Sequence, residues 1–385
     1  MIDGPTLDRA VSAGIIDAAQ RAALVSMAGE QSVVAPRLNA AASLSVDDQM
    51  RLVGGGNDIF VTVGIVLLFS GALFALGAVF PSDSLILATL LAAASWGVAE
   101  IVTRQKRMRL SSTLLALIFS ASVFAFLSDF ISTRFGLSGG INLLSLPALR
   151  EDAMAIGLML GGGLIAGAAI YFVRFKVPVL AAVAAIAATG LAFLAALLLT
   201  YDQMASGAIA APAAGQLGEV LSSALVVPLI CGVLIFAVAV ALDLHDRERQ
   251  TIWSDCAFWL HVVSAPLLVH PLFVLATGQQ ETGIEPAAGA GVVLGLMMAL
   301  FVLLALAIDR RSLLAPTLAY LGSIGIYYLI SGAANTTGIP PFALILVSIG
   351  ALVILFGAGW QRIRSLIIRP LLPTSLLNRL PPIKA

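Results

Sequence analysis

The sequence predicts an all-α fold: a polytopic transmembrane helical bundle of about ten spans, preceded by a small cytoplasmic helical unit. Three observations carry this reading. Hydrophobic residues make up 60% of the chain and charged residues only 11%, whereas a soluble domain carries about a quarter charged residues to cover its surface. Apolar runs long enough to cross a bilayer core, roughly 20 residues each, recur along most of the length. Basic residues then fall into alternate connections between those runs. A β-barrel would instead show segments of about 10 residues with alternating polarity, and no such pattern occurs.

Residues 1–55 read as the cytoplasmic unit. "MIDGPTLDRAVSAGIIDAAQ" lacks a basic segment leading into an apolar one, so no signal peptide is expected. Leu7, Val11 and Ile15 recur at helical spacing. "DAAQ", Asp17 to Gln20, resembles a capping box that opens a second helix running through Met27. A third helix is expected from Ser45 toward Val53, followed by a flexible "GGG" joint.

Residues 56–360 form the expected ten-span domain, with spans at 57–80, 84–102, 110–128, 152–173, 178–200, 218–242, 254–277, 288–308, 312–331 and 340–360. Residues 361–385 make a basic cytoplasmic tail whose arginines and leucines suit the surface of an anionic leaflet or, with equal weight, a solvated basic end that only fixes orientation. With these spans, 19 lysines and arginines fall on one side and two, Arg134 and Arg150, on the other. Cytoplasmic loops are enriched in basic residues, so both termini are expected in the cytoplasm. Trp96, Trp253, Trp259 and Trp360 fall at the same ends and suit an interfacial belt.

The basic connections share a form. "AEIVTRQKR", "ALDLHDRER" and "AIDRR" each close a span with Glu100, Asp243 or Asp309 and turn through arginines. Ordinary surface ion pairing is the favoured reading of these loops. A five-plus-five division of the spans would make the halves inverted, as in many transporters. Small residues mark where backbones approach: Gly157 and Gly161, Gly163 and Gly167, and Gly291 and Gly295 each stand four apart. Packing within the bundle is favoured over dimerisation for these pairs.

One span carries unusual chemistry. "SDCAFWLHVVSAPLLVHPLF" holds His261 and His270 with Pro266 and Pro271 inside an apolar run. Ionisable groups at membrane depth are by default candidates for a pathway. Nine residues apart on a helix, the rings stand about 180° and about 13 Å from each other, so they cannot share a metal ion. The prolines free the carbonyls of Val262 and Leu267, and freed carbonyls at this depth must be covered by protein or line water. His270 stands where it could answer Leu267, while His261 needs a partner on another helix. A structural role for the pair is weighed slightly above a solute or proton pathway. All other charged residues fall within about two turns of a span end, so a carrier built on a buried carboxylate is not expected.

The remaining signals are negative. Cys231 and Cys256 show neither metal spacing nor a disulfide framework. No zincin, serine-nucleophile, nucleotide-binding or dinucleotide motif appears, so neither enzymatic activity nor a cofactor is expected. A net charge of zero argues against nucleic acid as a partner. The lipid bilayer is the expected partner, with a small solute or a cytoplasmic protein at the N-terminal helices as the further possibilities.

"AVSAGIIDAAQ", the span-seven stretch and the ending "GAGWQRIRSLIIRPLL…LPP" resemble a group of predicted bacterial inner-membrane proteins of unknown function. In that group a short helical N-terminal domain precedes a many-span region. The resemblance implies location and architecture, and hands over no activity or residue role. Permease-like handling of a small solute, with a cavity at His261, His270, Pro266 and Pro271, is therefore the working expectation. The alternative is a membrane-embedded scaffold or sensor acting through its N-terminal helices.

Overall fold

The computed structural model describes residues 10–22, 56–81, 83–137, 150–209, 225–246, 249, 251–277, 290–310, 313–314, 318, 322, 340–373 and 377. The chain divides into two compact units, Met1–Phe60 and Val61–Ala385. In the first, a short helical turn over residues 10–12 ends at Gly14, whose φ of +70° only glycine adopts freely. Gly14 donates to the Val11 carbonyl and Ile15 to that of Ala10, the double closure of a Schellman motif. Ile15 therefore leaves the first helix and is exposed, against its expected place on that helix's apolar face. The capping box forms: Gln20 N donates to Asp17 Oδ1 at 2.6 Å and Asp17 N to Gln20 Oε1 at 2.9 Å. The expected continuation to Met27, the Ser45 helix and the "GGG" joint before Gly56 lie outside the described residues.

The described helices are α1 Gly56–Val79, α2 Ser84–Gln105, α3 Arg109–Phe135, α4 Ala153–Phe175, α5 Val179–Ala205, α6 Val226–His245, α7 Ile252–Thr277, α8 Ala290–Ile308 and α9 Pro341–Leu371. Seven of them, α1 to α7, are long and apolar enough to cross a membrane, and α9 makes an eighth if its two arms are one span. α8 is apolar but supplies a shorter stretch, Gly295–Ile308. The ninth expected span, 312–331, lies almost wholly outside the described residues. No strand occurs among them.

α3 runs seven residues past its expected end at 128, to a left-handed Gly136 cap. The C-terminal region departs further from expectation. Instead of a span ending at 360 and a separate tail, α9 continues to Leu371 and bends by 77° between its arms Ala343–Phe356 and Ala358–Leu371. The second arm puts Trp360, Arg364 and Ile368, four residues apart, on a buried face.

Two features place the candidate site. α6 and α7 form the most closely packed hairpin, joined by the short connection 246–251. α7 is also the enclosed helix: 56% of its apolar window is buried, against 28% or less for α1 to α6. The glycines of α4 serve two neighbours. Gly157 and Gly161 lie under Leu194 and Leu191 of α5, while Gly163 and Gly167 lie under Leu127 and Val123 of α3. Gly295 of α8 has nothing described within 4 Å, and the surroundings of Gly291 are outside the described set.

Candidate functional site

A carboxylate in the last turn of a helix faces the negative end of the helix dipole and requires a cation nearby. Asp243 stands in the last turn of α6, Asp309 just past the end of α8 and Glu100 at the start of the π-helical stretch that closes α2, and each has a cation. Arg174, in the last turn of α4, reaches Glu100 of α2 with Nε at 2.8 Å and Nη2 at 3.0 Å. Arg310, just beyond α8, grips Asp243 of α6 in the same two-pronged way, with Nε to Oδ2 at 3.0 Å and Nη2 to Oδ1. In both clasps the acid closes one helix and the arginine closes the helix two further on. Phe172 of α4 meets Trp253 of α7 in a tilted ring contact at 6.4 Å, so the two clasps lie at the same end of the bundle. The clasp thus recurs in the same sense along the chain.

The second clasp differs in burial and in an added ring. Glu100 and Arg174 are part-exposed. Asp243, Arg310 and His261 are buried, and His261 is fully so. His261 Nε2 donates to Asp243 Oδ2 at 2.9 Å, because a carboxylate clasped by arginine can only accept. Arg310 Nη2 also donates to the carbonyl and Oγ of Ser254, each at 3.0 Å. Ser264, one turn beyond the ring, donates to the His261 carbonyl at 3.2 Å. Phe236 of α6 meets the ring edge-on at 5.3 Å. The other ring nitrogen, Nδ1, is buried and has no hydrogen-bond partner among the described residues.

Geometry explains why sequence spacing hides this contact. Helical side chains lean toward their own N-terminus. From the end of α6, Asp243 therefore leans inward, and from inside α7 His261 leans outward toward the connection. Surface ion pairing holds for the loop of Glu100, which pairs with Arg104 and Arg174 while part-exposed; it is corrected for the other two, where Asp243 and Asp309 are 5% and 4% exposed. Asp243 does lie at the end of its span, as expected, and what differs is that packing buries it there.

Asp309 gathers a second buried group. Trp360 Nε1 donates to its Oδ1 at 2.7 Å, and Arg249 Nη1 and Arg364 Nη1 lie 3.5 and 3.7 Å from its Oδ2. Arg364 Nε also donates to the Leu306 carbonyl at 2.8 Å, and Arg249 Nη2 to the Asp309 carbonyl at 2.8 Å. These donors answer the carbonyls left open at the end of α8. Asp309 itself holds a left-handed φ of +59°. Trp360 and Arg364, expected at a lipid surface and in a free tail, are buried at 1% and 0% exposure. Trp96 likewise turns inward, onto Phe119, Tyr171 and Phe175. Trp259 is partly buried beside Phe258, and of the four only Trp253 stays exposed, at 46%.

The residues singled out in span seven separate. His261 enters the buried cluster, whereas His270 and Pro266 lie on the exposed surface of the bundle and Pro271 is buried. α7 stays helical through both prolines. The Leu267 carbonyl, freed by Pro271, lies against Gly232 of α6, which has no side chain to hold it off. Among the described residues no group of three or more histidine, cysteine or acidic side chains is placed to hold a metal. Sequence marks Asp243 and Asp309 only as span-closing acids, and Arg310, Ser254 and Arg364 not as site residues at all. Their legible signal was the acid at each helix end, opposed to the dipole and followed by arginines.

No protein-family model, curated protein or solved structure matches the chain.

Proposed function

We propose that this protein is a bacterial inner-membrane permease for a small solute, with ten spans, both termini in the cytoplasm and its pathway along the buried face of α7. The observation that carries the reading is the Asp243–His261–Arg310 cluster, enclosed among helices apolar enough to span a membrane. Charged groups enclosed in such a bundle are costly and mark substrate or ion routes. α7 suits the role because its buried side combines Ser254, His261 and Ser264 with a carbonyl released by proline. The basic asymmetry of the connections supports the orientation.

The test uses cysteine accessibility in the full chain. In a Cys231→Ser, Cys256→Ser background, Ser264→Cys and His270→Cys are exposed to a small membrane-impermeant thiol reagent, first from outside intact cells and then from inverted vesicles. Labelling of Ser264→Cys is expected, because a pathway along α7 brings water to its buried face. Protection of Ser264→Cys from both sides in a folded protein would sink the permease reading.

A second reading rests on the separate compact unit Met1–Phe60 with its capped helix. If the protein is a scaffold or sensor, deletion of residues before Gly54 abolishes its function while replacement of His261 does not. A permease shows the reverse.

A further inference from the structure

The permease reading leaves open what drives the solute, and the ring of His261 addresses it. Its two nitrogens face different surroundings. Nε2 must carry a hydrogen, since its partner is the Asp243 carboxylate. The neutral ring therefore leaves a bare lone pair on Nδ1, buried within the bundle and without a donor among the described residues. A histidine serving only to tie α6 to α7 needs one nitrogen and gains nothing from a second, unanswered acceptor in a fully buried ring.

We propose that His261 is a proton-relay residue that couples transport to proton movement. The inference rests on the permease reading above and names its coupling ion. A proton arriving from the inner side of the bundle, on water or on a solute N–H or O–H, binds the Nδ1 lone pair and makes the ring cationic. The Nε2 proton then passes to Asp243 Oδ2, leaving a neutral ring protonated at Nδ1 and a neutral carboxylic acid. Asp243 stands in the last turn of α6, two residues before its end, and releases that proton toward the connection. One proton enters and one leaves, and no bond other than N–H and O–H is made or broken; a flip of the ring about its Cβ–Cγ bond then returns an N–H to Asp243 and closes the cycle. Loss of charge on Asp243 weakens the hold of Arg310, and with it the tie between the ends of α6 and α8. Proton transfer thereby acts on helix packing.

The charged groups around the ring are few. Asp243 comes from α6, Arg310 from the end of α8 and Arg249 from the α6–α7 connection. α8 itself contains no charged residue, and the single charge of α5, Asp202, is bound to Arg150. The carboxylate is therefore the ring's one proton-accepting neighbour among the described groups that face it.

The chain has three histidines, which makes the ring directly observable. Full-length protein carrying His245→Gln and His270→Gln is labelled with 15N-histidine, placed in lipid nanodiscs and followed by nitrogen NMR between about pH 5 and pH 8. The expected result is a neutral ring protonated at Nε2 at high pH, with the Nδ1 resonance moving to its protonated position as pH falls. Two pH-invariant nitrogen resonances across that range would overturn the relay. The same sample series is compared with Ser264→Cys labelling. A labelled Ser264→Cys with a silent His261 overturns the relay and leaves the permease standing. A titrating Nδ1 with Ser264→Cys protected from both faces upholds proton uptake and removes the permease.

Discussion

His261 Nε2 lies 2.9 Å from Asp243 Oδ2, although one residue stands in the last turn of α6 and the other nine residues into α7. Two helices that run in opposite directions bring these side chains together because each leans toward its own N-terminus. The contact links the connection at the arginine-rich end to the inside of the bundle. It also sets the hierarchy of the polar groups: Arg310 answers Asp243, and Asp243 orients the ring.

Removal of Asp243 leaves two partners stranded. With Asp243→Ala, Arg310 remains a buried cation without its counter-charge, a loss on the order of 3–5 kcal/mol. Thermal unfolding in detergent should show a large drop in midpoint. Glu100→Ala breaks the matching clasp where both partners are part-exposed, and its midpoint should fall much less. Equal drops would show that burial does not distinguish the two clasps.

Gly232 has a defined steric duty. A Cβ there would stand 3.0 Å from Leu267 Cβ, 3.1 Å from its carbonyl carbon and 3.2 Å from its oxygen. Backbone atoms cannot swing aside, so Gly232→Ala should force α6 and α7 apart at about 1–3 kcal/mol. Gly190 of α5 has nothing within 4 Å, and Gly190→Ala should leave stability unchanged or slightly raised by helix propensity. Comparison of the two melting curves checks the packing of the α6–α7 hairpin.

Trp360→Phe keeps most of the packing and deletes the indole donor to Asp309. An unanswered buried acceptor costs about 1–3 kcal/mol. Protease susceptibility of the second arm of α9 should rise, since Trp360 helps hold residues 358–371 to the end of α8. Unchanged cleavage rates would mean that Arg364 alone fixes that arm.

Asp17→Ala removes the acceptor for the Gln20 amide. Loss of an N-cap acceptor typically costs about 1 kcal/mol. Amide hydrogen exchange over residues 18–22 should accelerate, while exchange across α6 and α7 stays as it was. Acceleration spreading into α6 and α7 would show that the loss is not local.

Much of the architecture was legible because bilayer chemistry acts on the chain locally. The apolar runs, the reciprocal capping of Asp17 and Gln20 and the small faces of α4 each depend on residues close in sequence, and their elements appear where composition and spacing put them. The described helices match seven of the expected spans closely, with α3 and α5 running past their expected ends.

The candidate site was not legible in the same way. Sequence put His261 in an apolar helix and Asp243 at a helix end, and nothing in their spacing of 18 residues says that they touch. Depth along a helix is fixed by sequence, but whether an acid at a helix end faces solvent or the next helix depends on how helices pack. Packing drew Asp243, Asp309, Arg310 and Arg364 inward and turned Trp360 from the lipid surface. Composition by itself determined the helices and their fitness for a membrane. Only the tertiary structure decided which charges are buried, because that choice is made by side chains of α6, α7, α8 and α9 converging from distant parts of the chain.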